Sequence, residues 1–127
     1  MKDTDFPPGD HTKVTGYHAH IYYDDETRET AARLRGRIWQ RWGFDIVMGR
    51  FRDRPVGPHP EPMFQVAFDK ALFAEFVPWL MYNRDGLVVL VHPEGDDAHD
   101  DHVYYPLWLG GHYQVRREFL RSGQRSA

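Results

Sequence analysis

The chain has 127 residues, 41% hydrophobic and 15% aromatic, with 16 Lys+Arg against 19 Asp+Glu for a formal charge of −3. That length suits one domain, the apolar content excludes intrinsic disorder, and the near-balanced charge speaks against a dedicated nucleic-acid binder. The lack of cysteine removes disulfides and thiolate chemistry and suits a cytoplasmic protein, while no apolar run approaches the roughly 20 residues of a membrane span. Eight histidines remain as the compositional feature that asks for a chemical explanation.

Residues 1–15 are polar, carry Pro7, Pro8 and Gly9, and read as a flexible leader. Tyr17-His18-Ala19-His20-Ile21-Tyr22-Tyr23 is rich in aromatic and extended-favouring residues and predicts a first strand. Asp24 or Asp25 caps a helix running to Trp42, with Ala31, Leu34, Ile38 and Trp42 stepping by three and four and Gly43 as the stop. Residues 44–50 alternate as a second strand, a proline-rich loop follows, and Met63–Phe68 alternates as a third. Asp69 opens a second helix bearing Leu72, Phe73, Phe76 and Leu80 on one face, kinked or restarted at Pro78. Leu87–His92 is the most apolar strand. The acidic stretch 94–101 reads as a loop and lacks calcium-loop spacing; 102–111 is left between a short helix and a covering segment. Residues 113–127, with Arg116, Arg117, Arg121 and Arg125, read as a solvated tail.

The order β-α-β-β-α-β predicts an α+β, ferredoxin-like fold. Its four-stranded antiparallel sheet has spatial order 4-1-3-2 and both helices on one face. On the first strand Ala19 and Ile21 then point to the helices, and His18, His20 and Tyr22 to the open face. Phe64, Val66 and Phe68 likewise turn inward with Gln65 outward, and Val89 and Val91 inward with Leu90 and His92 outward. The fourth strand runs antiparallel to the first, so His18, His20 and His92 converge on one patch. Neutral imidazole is the commonest side-chain ligand for iron, zinc and copper, and the three form a workable facial set. The bland readings are a half-exposed pair for His18 and His20 and a strand terminator for His92. His59, between Pro58 and Pro60, falls near Tyr22, where it is either loop structure or a substrate contact. His102 is a weaker candidate; His11, His99 and His112 read as surface residues.

Several blocks in order resemble the DOPA 4,5-dioxygenase family, the small fungal and bacterial type. They are residues 17–23, the loop Pro55-Val56-Gly57-Pro58-His59-Pro60, Pro78-Trp79-Leu80-Met81 with Asn83-Arg84, residues 87–93 with Gly95-Asp96-Asp97, and Trp108-Leu109-Gly110. The resemblance covers roughly residues 16–111, giving a domain of 16–112. It implies extradiol cleavage of a catechol such as L-DOPA with O2 and non-haem Fe(II), zinc or another divalent metal being possible in purified protein. In that frame His18, His20 and His92 form the metal shell, and His59 is the acid/base or substrate contact. Arg50 or Arg52 pairs with a substrate carboxylate, and Tyr22 and Gln65 line the substrate. Iron sites usually add a carboxylate; only Glu61 or Asp97, on loops folding over, offers one.

An open face bearing Tyr22, Met63 and Leu90 would be an exposed apolar patch, which predicts a homodimer closing into an α/β barrel. Two other classes remain: a non-catalytic metal- or small-molecule-binding module of the same fold, and a dimeric structural module whose histidines are incidental.

Overall fold

The computed structural model describes residues 8–120, so residues 1–7 of the expected leader and 121–127 of the expected tail, with Arg121 and Arg125, lie outside the described residues. Five strands form one antiparallel sheet in the order β2-β3-β1-β4-β5, with β1 Gly16–Tyr22, β2 Val47–Met48, β3 Met63–Asp69, β4 Val89–Pro93 and β5 Leu107–Leu109. The first four follow the expected order. The sheet is nevertheless five-stranded, because β5 pairs with β4 through Val89↔Leu109, Leu90↔Trp108 and Val91↔Leu107.

Helix α1 spans Arg28–Trp42 and buries Ala31, Leu34, Ile38 and Trp42, the positions the 3.6-residue period selects. It starts four residues beyond Asp24. The Asp24 carboxylate accepts from the Thr27 N–H and hydroxyl, at 2.9 and 3.0 Å, and closes a turn ahead of the helix. Gly43, at φ 48°, ends it and leads into a 3-10 turn over Gly43–Asp45, which shortens the expected strand 44–50 to Val47–Met48. The Asp69 carboxylate caps a 3-10 turn through Ala71 N–H at 2.8 Å, and α2 follows over Phe73–Asn83. It continues through Pro78, with Phe76, Val77 and Leu80 buried against the sheet.

The helix-side core joins Ala19, Ile21, Phe64, Val66, Phe68, Val89 and Val91 of the sheet to those helix residues. Each such large apolar side chain contributes about 2 kcal/mol on burial. The acidic stretch is not all loop: Asp97 caps a short helix α3, Ala98–Val103, by accepting from Asp100 N–H at 3.1 Å. No helix among the described residues is long and apolar enough to cross a membrane.

The second sheet face is closed by the chain itself. Tyr22, Met63 and Leu90 are buried and packed by Val88, Trp108, Tyr113 and Val115. Residues 113–116 therefore lie across this face rather than trailing into solvent, because their apolar side chains find Tyr22 and Leu90 beneath them. The apolar patch that motivates a second subunit is met within one chain.

Candidate metal centre

Period-two alternation sends His18 and His20 to the same side of β1, and the register places His18 opposite His92, and His20 between Leu90 and Gln65. The Nε2 atoms of His20 and His92 lie 3.0 Å apart, with their ring planes 16° from parallel. His92 Nδ1–H donates to the Pro93 carbonyl at 2.9 Å. A carbonyl only accepts, so the His92 proton sits on Nδ1 and Nε2 keeps its lone pair.

Four further residues complete the cluster. The Pro55–Pro60 loop turns through a His59 N–H bond to the Val56 carbonyl at 3.0 Å, with Gly57 at φ 54°, and lays His59 against His20 at 4.0 Å between ring centroids. Tyr22 hydroxyl meets His59 Nδ1 at 2.8 Å. Helix α3 brings His102 onto His92 at 3.9 Å, and His102 Nδ1–H donates to the Ala98 carbonyl at 2.7 Å, leaving its Nε2 as an acceptor. Glu94 pairs with His18 Nε2.

All five histidines are buried, none more than 7% exposed. Burial is the largest cause lowering each of their pKa values: His20 and His92 fall well below the usual range, and His59 is brought to about 3. For His18 the Glu94 carboxylate opposes that shift, and for His102 the bond to Ala98 does. Neutral rings are the state that binds a cation, since protonation occupies the lone pair. Burial also lifts the Tyr22 phenol far above its ordinary value, so it stays protonated and shares one hydrogen bond with His59 Nδ1.

The donor atoms of His18, His20 and His92 lie within 4.8 Å of one another, as do those of His20, His59 and His102. The residues fit a divalent cation on two observations. With its Nε2 engaged by Glu94, His18 Nδ1 is buried without a hydrogen-bond partner among the described residues, a costly arrangement unless a ligand takes its lone pair. And two nitrogens each about 2.1 Å from one cation at a right angle lie about 3 Å apart, which is the His20–His92 separation. The Pro93 and Glu94 bonds are contacts of the kind that orient imidazoles able to hold a metal.

The expected residues separate into two groups. His18, His20, His59, His92 and Tyr22 come together, and half-buried Gln65 adjoins His20. Arg50 is exposed after β2, two strands away from β1, and has no hydrogen bond or ion pair among the described residues. Arg52 is exposed and engages Met63 by backbone only. The carboxylates that act on His18 are Glu94 and buried Asp101, and not the expected Glu61 or Asp97, the latter being the α3 cap. Glu94 N–H donates to the Gly16 carbonyl at 2.8 Å, so the chain stays extended past β4 and His92 and Glu94 repeat the two-residue spacing of His18 and His20. That spacing was the signal for Glu94; the capping spacing of Asp97 and Asp100 was the signal for the helix that carries His102. A cavity of about 600 Å³ opens on the opposite, helix-bearing side of the sheet, lined by Tyr17, Phe73, Val91 and Leu107 with His11 and the acidic stretch, and by none of the five clustered histidines.

The Dopa 4,5-dioxygenase family matches residues 17–119. A solved structure from Nostoc punctiforme, described as a candidate dioxygenase, shares 46% identity and a TM-score of 0.83 over 88% of this chain and 96% of that one. An uncharacterised 21.2 kDa protein of Botryotinia fuckeliana is 35% identical, covering 74% of this chain and 57% of its own. The DOPA 4,5-dioxygenase of Amanita muscaria is 29% identical, covering 78% and 46%. The chain thus spans about half the length of the curated relatives it matches. Since the family match takes in all three histidine-bearing strands and loops and α3 as well, the chain belongs to the Dopa 4,5-dioxygenase family.

Proposed function

We propose that the chain is an extradiol ring-cleaving dioxygenase that opens a catechol such as L-DOPA with O2, using a non-haem Fe(II) ion held by His18, His20 and His92. The observation that carries this reading is the buried, neutral His20–His92 pair, Nε2 to Nε2, with His18 beside it and Glu94 on His18. Bound there, Fe(II) would supply open positions at which a catecholate and O2 meet.

The other roles belong to the chain. His102 presents a bare Nε2 and takes a catechol proton. A ring held as low as His59 is a poor proton store. Its Nε2–H serves instead as a neutral donor toward charge developing on the reacting oxygens. In this reading the Tyr22 hydroxyl donates to His59 Nδ1, which leaves the ring proton on Nε2. Burial of all five rings keeps water from the reactive intermediates.

The test is oxygen uptake by anaerobically Fe(II)-loaded protein offered L-DOPA, caffeate and protocatechuate, beside His20→Ala and His92→Ala. Uptake with a yellow ring-cleavage product, lost in both variants, is the expected result. Tightly bound iron with no uptake would make the chain a non-catalytic metal-binding module.

A further inference from the structure

The Pro55–Pro60 loop is short of donors. Pro55, Pro58 and Pro60 have no N–H, so the loop cannot join the sheet, yet each of its residues exposes a carbonyl. Three consecutive carbonyls are taken by one residue. Arg116 N–H donates to the Pro58 carbonyl at 2.7 Å, and its Nη2 donates to those of Gly57 at 2.8 Å and His59 at 3.3 Å. An arginine suits this position because it carries five donors and no acceptor. Its Nε is buried without a partner among the described residues, so the guanidinium sits where the loop's carbonyls need it and not where its own donors are all satisfied. Phe119 lies against the guanidinium at 4.7 Å, and Tyr113 meets Tyr22 edge-on at 5.3 Å, which fixes the segment that carries Arg116.

We infer that Arg116 is a positioning residue: by clamping the carbonyls of Gly57, Pro58 and His59 it holds the His59 ring over the metal-binding face. Among the described residues the ring's one side-chain hydrogen bond is to Tyr22 through Nδ1, beside its stacking on His20, so the backbone anchor governs where Nε2 lies. This rests on the role given to His59 above, but its geometry is testable without catalysis.

The experiment uses full-length protein loaded with Zn(II) for the structural arm and Fe(II) for the kinetic arm, comparing wild type, Arg116→Met, Arg116→Lys and His59→Asn. Carbethoxylation by diethyl pyrocarbonate, read by peptide mass spectrometry, is expected to rise severalfold at His59 in Arg116→Met. His18, His20 and His92 stay protected and Zn(II) stoichiometry is retained; Arg116→Lys, with a single point donor, falls between. In oxygen uptake kcat of Arg116→Met drops about a hundredfold with KM little changed, and a double variant combining Arg116→Met with His59→Asn is no slower than His59→Asn alone. Unchanged His59 reactivity in Arg116→Met overturns the inference, as does an equal rise at every histidine, which would mean a general loosening. If wild-type protein takes up no oxygen with any catechol, the proposed function fails, and the carbethoxylation pattern still decides the role of Arg116.

Discussion

His20 and His92 face each other across adjacent strands with 3.0 Å between their Nε2 atoms, and the outer nitrogen of His92 is tied to its neighbour's carbonyl. In the metal-free chain that contact needs a proton on His20 Nε2; with a cation between the rings that proton moves to Nδ1 and two lone pairs face the ion. The rings are already neutral, so metal binding is expected to release few protons near neutral pH and to raise the unfolding free energy by about 2.7 kcal/mol at a hundredfold excess over Kd. Thermal unfolding with and without added Fe(II) or Zn(II) checks this. His20→Ala and His92→Ala should abolish the shift, and a shift retained in both would remove these rings from the metal shell.

Glu94→Gln keeps an acceptor beside His18 but removes the charge. Outer-shell changes of this kind lower metal affinity by about 10- to 100-fold. Chelator competition should show that loss in Glu94→Gln, with little change in Asp97→Asn beyond a weakened α3 cap. The reverse order would restore Asp97 as the relevant carboxylate.

Acid should destabilise the metal-free protein. The five buried histidines have folded pKa values below the unfolded value of about 6.5, so below that pH the unfolded chain binds more protons than the native one. Stability is full above pH ~6.5 and declines as pH falls, down toward the folded value of about 3 for His59. Each histidine protonated only in the unfolded chain adds a slope of about 1.4 kcal/mol per pH unit. Urea midpoints should be flat between pH ~7 and ~8 and fall steadily below pH ~6.5; a midpoint that rises on acidification would contradict neutral burial.

Gly16→Ala probes the end of β1 that carries His18. A Cβ there would stand 2.8 Å from the Phe68 carbonyl oxygen, which belongs to the paired strand and cannot rotate away. The substitution is expected to cost about 1–3 kcal/mol by overpacking, read as a lower melting temperature. An unchanged melting temperature would mean the β1–β3 ladder yields easily at this point.

The alternation of Tyr17–Tyr23 was enough to sort β1 into a helix face and a histidine face, and the antiparallel crossover then placed His92 opposite His18. These follow from strict period-two geometry, which survives tertiary packing. What escaped was written in weaker signals. Three residues of β5 are too few to show a period. Asp97 and Asp100 look like any solvated acidic pair until one caps the other. Glu94 lies past a proline that suggests the strand has ended, although the ladder bond to Gly16 continues. Arg116 acts on backbone carbonyls, and no side-chain pattern announces such a partner.

The five histidines do not share one mechanical footing. His18 and His20 belong to β1, hydrogen-bonded on both flanks by β3 and β4, whereas His59 and His102 hang from a proline loop and a six-residue helix. Amide exchange should accordingly be slowest at His18 and His20 and much faster at His59 and His102, since opening begins where few backbone bonds must break. The site thus has a floor laddered on both flanks and a roof carried by shorter segments, and exchange rates should separate the two.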